Sequence, residues 1–200
     1  MKLTLVMTAA ATALFAASAQ ADLVITEAYG GMSGEDGTAD WIEITNLGDS
    51  AVSGSGLFYE DESADEDDLT AINGLGNIGV GESVVVMIGT ESDTDGFLEF
   101  WGILGVQVGW SDGSGLKEGD TAWIYSTADG FFNSLTVSEL EDPATTQFGG
   151  GLSTAANGVS VGLTEQGVMY GDPGSFTVPA PGALALLGLA GISARRRRRA

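Results

Sequence analysis

Seven carboxylates fall within nine residues at Glu60-Asp61-Glu62-Ser63-Ala64-Asp65-Glu66-Asp67-Asp68, and oxygens at that density suit a hard divalent cation. Calcium takes about six to eight oxygen ligands, often from carboxylates, which makes Asp61 and Asp65 candidate metal ligands. The simpler alternative is a solvated acidic loop. A second candidate is Glu91-Ser92-Asp93-Thr94-Asp95-Gly96-Phe97-Leu98, where oxygens at alternate positions, then glycine, then an apolar residue follow the first part of a calcium-binding loop. Asp93 and Asp95 would be ligands there. The pattern stops at Gly102, where a bidentate glutamate belongs, so an acidic β-turn is the simpler reading.

Asp40 and Glu43 flank Trp41. Paired carboxyls about 5–10 Å apart, one with a raised pKa, cleave glycosidic bonds. In a chain with 28 acidic residues such proximity arises by chance, and the expectation is a strand-end residue and an exposed-face residue. Lys117 lies in a glycine-flanked loop and reads as exposed rather than as a buried catalytic amine. The neighbours Phe131-Phe132 and Phe100-Trp101 are able to stack on sugars, with core packing as the simpler reading.

What is missing narrows the chemistry further. With no cysteine and no histidine, Ser-His-Asp and Cys-His sites, His- or Cys-ligated zinc and disulfide staples are excluded. All five arginines form one block, Arg195, Arg196, Arg197, Arg198 and Arg199, so from Asp22 to Val178 the 28 carboxylates face one lysine, a net of −27. Duplex nucleic acid is not an expected partner of such a body. Two hundred residues suffice for one domain.

The elements that must carry these residues differ from the two ends. Met1 to Ala21 has a cationic Lys2, an apolar run and a small-x-small close at Ala19-Gln20-Ala21, the pattern of a secretory signal peptide cut before Asp22. The other end reads Val178-Pro179-Ala180-Pro181-Gly182, an apolar helix-like run over 183–194, then the arginine block. That run is short of the roughly 20 apolar residues of a membrane span, so transient membrane contact is expected, with the arginines on the cytoplasmic side. Proline motif, short apolar helix and arginine cluster together resemble the PEP-CTERM sorting tail of Gram-negative bacteria, with Ala180 where the name-giving glutamate lies. The resemblance implies recognition by an exosortase-like enzyme after export, and delivery to the cell surface or extracellular polymer.

Between the ends, over 22–177, short β-rich runs bounded by Gly, Asp, Asn and Ser recur, with no helical periodicity of ten or more residues. Strands are expected at 23–28, 40–46, 56–59, 83–89, 97–103, 121–126, 132–137, 159–163 and 167–170. In Trp41-Ile42-Glu43-Ile44-Thr45 the alternation reads as a strand half in water. The run Val84-Val85-Val86-Met87-Ile88 is apolar on both sides and reads as central. Leu23-Val24-Ile25-Thr26-Glu27-Ala28, Asp40 to Gly48, Val52 to Phe58, Val80 to Met87 and Gly119 to Tyr125, in that order, resemble a lamin-tail domain. The resemblance implies an all-β, immunoglobulin-like β-sandwich used for display or contact, with no shared catalytic constellation. The expectation is therefore an exported, non-enzymatic structural or adhesive protein. A calcium-dependent carbohydrate-binding module is the alternative. The expected partners are the export machinery, an exosortase-like enzyme and extracellular polysaccharide.

Overall fold

The computed structural model describes residues 23–31, 37–137, 145–147, 151–152, 163–164, 167–168 and 170–176. The expected cleavage site at Ala19, Ala21 and Asp22 lies outside the described residues. So does the expected sorting tail, Val178 to Gly182 and Arg195 to Arg199.

Runs of β-branched and aromatic residues form the strands β1 (Leu23–Tyr29), β2 (Trp41–Asn46), β3 (Val52–Ser53), β4 (Leu57–Glu60), β5 (Thr70–Asn73), β6 (Asn77–Ile78), β7 (Ser83–Ile88), β8 (Val108–Ser111), β9 (Thr121–Ser126) and β10 (Gly130–Thr136). The short strands β11 (Thr146–Gln147), β12 (Gly151–Leu152), β13 (Leu163–Thr164) and β14 (Gly167–Val168) follow. The main sheet runs β10-β9-β4-β5-β8-β7-β2-β1-β11-β12, with β3-β6 and β13-β14 as separate pairs. It curls until β10 lies beside β1, where Ile25 N donates to Asn133 Oδ1 at 2.7 Å, so the sheet nearly closes.

Among the described residues all strand pairs are antiparallel except β7–β8, and a parallel pair needs a crossover. The crossover carries the helix α1 (Thr94–Trp101). This corrects the strand expected at 97–103 and the expectation of a helix-free body. Phe97, Phe100 and Trp101 stand at i, i+3 and i+4, which makes one apolar helical stripe, but eight residues are too few to register as a long periodic run. Of the two last expected strands, only 163–164 and 167–168 are strands among the described residues.

Inside the curled sheet, Ile25, Ile42, Ile44, Val84 and Val86 meet Leu57, Tyr59, Ala122, Ile124 and Leu135. A second apolar cluster lies on the other face of β1, β2 and β7, where Tyr29, Trp41, Val85 and Met87 pack against Phe97 and Trp101 of α1. Every residue of β2 and β7 is buried. The central position expected for β7 holds. The half-wet β2 is corrected, because α1 and the segment 170–176 cover the face that alternation alone assigns to solvent.

Candidate binding face and buried carboxylate seam

On β4 and β9, alternation sends Leu57, Tyr59, Ala122 and Ile124 into the core and Phe58, Trp123 and Tyr125 to the outer face. A β-bulge between Phe131 and Asn133 splits the pair Phe131-Phe132. Phe132 packs on the core, while Phe131 lies opposite Tyr125, which in turn lies opposite Phe58. The outer rings meet edge to face: Phe58–Tyr125 at 5.9 Å, Tyr125–Phe131 at 5.1 Å and Trp123–Phe131 at 6.0 Å between centroids. All four rings are half-buried, and Trp123 Nε1 has no hydrogen-bond partner among the described residues. The Thr121 and Thr136 hydroxyls, 2.9 Å apart, continue the same face. Neutral rings and hydroxyls on a pleated surface suit stacking and hydrogen bonding to an uncharged partner. The other expected stacking pair is core: Trp101 is buried and its Nε1 donates to Thr38 Oγ1 at 2.9 Å.

Next to this face is the acidic loop. Glu60 accepts the backbone amides of Glu62, Ser63 and Ala64 at 3.0, 3.0 and 2.8 Å, and so folds the loop back over a cavity of about 330 Å³ lined by Tyr59, Asp61, Asp68 and Ser114. Asp61 lies there with its pKa raised, first by desolvation and then by the charges of Glu60, Asp120 and Glu62. Lys117 is exposed, as expected, and its Nζ stands 3.6 Å from Asp120 and 3.9 Å from Glu62. Asp65 instead caps a short 3-10 turn by accepting from Asp67 N at 3.0 Å.

Asp93 and Asp95 belong to a different place. Asp93 Oδ2 accepts Thr90 N at 3.1 Å and Thr90 Oγ1 at 2.7 Å, while Asp93 N donates to Thr90 O at 3.0 Å. These reciprocal bonds close a 3-10 turn, Glu91–Asp93, that leads into α1, and the two that the carboxyl accepts hold Asp93 below its ordinary pKa. Asp95 is exposed in the first turn of α1. Among the described residues, no three carboxylates converge as a metal-holding group.

The site that sequence reasoning missed is buried. Glu43, expected on an exposed face, is 2% exposed, and so is Glu27. β1 carries a bulge between Ile25 and Glu27, with Glu27 set opposite Glu43, so Thr26 and Glu27 both face the second side of the sheet. The adjacent polar pair Thr26-Glu27 inside an otherwise apolar strand was the signal for it. Thr26 donates its hydroxyl to Glu43 Oε1, and hydroxyl contacts continue from Thr26 to Thr45 at 2.8 Å and from Thr45 to Ser83 at 2.7 Å. Phe176 N donates to Ser83 Oγ at 3.4 Å. With an acceptor at one end and an N–H at the other, the relay runs one way when Glu43 is ionised: Phe176 to Ser83 to Thr45 to Thr26 to the carboxylate. Burial pushes the Glu43 carboxyl up to about 7 against the hydrogen bonds it accepts from Thr26, Gly174 and Ser175. Burial also pushes Glu27 up, opposed by the Thr145 hydroxyl and reinforced by Asp172 and Glu43.

Asp40 does not share this seam. Its oxygens accept Gly31 N at 2.9 Å and Leu116 N at 2.8 Å, which ties two loops to the start of β2. Comparison with known protein families, with curated proteins and with solved structures finds no match.

Proposed function

We propose that this chain is an exported, surface-sorted, non-enzymatic β-sandwich of immunoglobulin-like, lamin-tail type, which serves as a structural or adhesive component of the cell surface or extracellular polymer. The observation that carries the reading is the outer row Phe58, Tyr125, Phe131 and Trp123, an aromatic face on a body that is otherwise strongly acidic. The two end segments read from the sequence supply the route: export machinery first, then an exosortase-like enzyme with transient inner-membrane contact. At −27 between Asp22 and Val178, the body repels anionic polymers unless cations bridge the two. Neutral stretches of polysaccharide are the surfaces it adheres to directly.

Two measurements test this. Fractionation of cells expressing tagged protein is expected to find it at the surface, and a cytoplasmic pool retaining Met1 to Ala21 would end the reading. Co-sedimentation with insoluble neutral polysaccharide is expected to weaken about tenfold when Tyr125 and Phe131 become alanine, taking each lost ring contact as about 0.5–1.5 kcal/mol. A calcium-dependent carbohydrate-binding module is the second reading, favoured by the cavity in which Asp61 is crowded by Glu60, Glu62 and Asp120. Calorimetry with Ca²⁺ on the parent and on variants with Asp61, Asp65, Asp93 or Asp95 changed to Asn separates the two, and no heat at millimolar metal rejects the second.

A further inference from the structure

The outer aromatic row ends at a hollow. Phe131, Tyr125, Phe58 and Ala71 are successive partners across β10, β9, β4 and β5, so the row runs across the strands and spans about 14 Å. Its first three members are rings and its fourth is an exposed methyl. Ile72 points into the core, so alternation puts Ala71 and Asn73 on the same outer face as Phe58. Beside them, between the turns 54–56 and 74–76, lies a hollow of about 270 Å³. Gly54 N donates to Gly76 O at 2.8 Å and ties the two turns together. They also press close, since a Cβ on Gly54 would stand 2.5 Å from Leu75 Cβ. The hollow is therefore formed by backbone and does not wait for a ligand to shape it.

We propose that this hollow receives the end sugar of a neutral polysaccharide chain whose preceding sugars lie along Phe58, Tyr125 and Phe131. The inference rests on the adhesive reading above and adds to it a chain direction and a stopping point. Charge selects the ligand class. The cavity under the acidic loop carries Asp61 and Asp68 and the one beside α1 carries Asp93, whereas no ionisable side chain is among the described residues that line the hollow. Cations are drawn to the acidic cavities and anions are repelled by the whole body, which leaves an uncharged ligand for this one. The lining is mixed: Phe58 and Leu75 offer apolar surface, Ser55 a hydroxyl and Asn73 an amide. Asn73 spends one N–H on Ala71 O at 3.2 Å, which leaves its oxygen and its second N–H for ligand hydroxyls. A sugar ring, apolar on its faces and hydroxylated at its rim, matches that mixture. The volume lies below that of most ligand pockets, so it suits one ring and not a chain. Neighbouring rings of the row stand at 77° and 73° to each other and do not all lie flat beneath one chain. The row alone therefore grips without fixing a register, and the hollow supplies the end point. A strand spacing of about 4.8 Å is close to the length of one sugar along a chain, so about four sugars fill the row and the hollow.

Titration of the isotope-labelled full chain with cello-, xylo- and manno-oligosaccharides of two to six sugars, followed by NMR, tests the hollow directly. Amide shifts are expected at 54–56 and 71–74 as well as along the row, with affinity rising to about four sugars and level beyond. Ala71→Leu fills the hollow from an exposed position. It is expected to weaken tetrasaccharide binding about fivefold or more and to bind the tri- and tetrasaccharide equally. A folded Ala71→Leu variant that binds the tetrasaccharide as the parent does, affinity that climbs evenly through six sugars, or no binding of any series would overturn the end site. The wild-type shift map decides the matter even if the variant does not fold, because shifts along the row with none at 54–56 and 71–74 reject the hollow. Co-sedimentation of the Tyr125→Ala, Phe131→Ala variant judges the adhesive reading separately. If polysaccharide binding needs those rings while the hollow fails its test, the reading stands and the end site falls.

Discussion

Glu43→Gln is expected to make the protein more stable at pH 8 and to flatten its pH dependence. The parent holds a proton on Glu43 up to about pH 7 when folded, against an ordinary value of 4.5. Between those values the folded state binds more protons than the unfolded chain, so its stability falls as pH rises, the reverse of a salt-bridged carboxylate. The full loss is about 3 kcal/mol, of which about 2 kcal/mol lies between pH 5.5 and pH 8. Glutamine keeps the geometry: its oxygen accepts Gly174 N and Ser175 N, and its amide donates to Thr26 Oγ1. The hydroxyl relay through Thr45 must then reverse, as it does in the parent whenever Glu43 is protonated. The variant should therefore lie close to the parent near pH 5 and exceed it by about 2–3 kcal/mol at pH 8. Urea denaturation followed by tryptophan fluorescence, at pH 5.5 and pH 8, measures both ends. Parallel pH slopes for parent and variant would refute the reasoning, because they would mean that Glu43 is not the group whose proton is linked to folding.

Other positions carry expectations of different kinds. Gly74 has φ +80° and an added Cβ would lie 2.2 Å from the Trp110 ring, so Gly74→Ala should lower stability by about 2–4 kcal/mol in the same urea assay. Lys117→Gln should change stability by less than about 0.5 kcal/mol, since its side chain is 73% exposed and the bond from Lys117 N to Asp120 Oδ2 survives; a larger loss would give its ion pairs a weight the geometry does not. The thermal midpoint should rise between low salt and roughly 0.5 M NaCl as self-repulsion is screened, and a flat response would count against that.

The sequence made the central strands readable because their chemistry is redundant. Val84 to Ile88 is apolar at every position, and only a strand covered on both faces tolerates that. The strands β5 and β8 escaped notice for the opposite reason: Thr70-Ala71-Ile72-Asn73 and Val108-Gly109-Trp110-Ser111 are short and polar or glycine-bearing. Gly109 is needed because a side chain there would strike Asn73 O at 2.5 Å, a cross-strand constraint that no local pattern reveals. α1 was misread since its eight residues carry aromatic side chains that suit strands equally well, and what decides between them is the crossover that a parallel β7–β8 pair requires. The outer aromatic face was half visible. Phe131-Phe132 was singled out, but only the bulge shows which ring faces out.

The buried seam was invisible for a deeper reason. A glutamate in an alternating strand is assigned to water because isolated charge is costly to bury, and at Glu43 that rule fails. The segment 170–176 crosses the sheet face without a strand ladder, so its amides need acceptors from elsewhere. A carboxyl offers two oxygens with about four lone-pair sites, more than serine or glutamine, and Glu43 uses one oxygen for two amides and the other for a hydroxyl. Acceptor capacity, rather than charge, explains the residue type. Once it is buried for that purpose, protonation is the cheaper state, and acid-stabilised packing follows. A neutral isostere that keeps the fold but loses the share of the pH dependence due to Glu43, leaving that of Glu27, would separate those two roles.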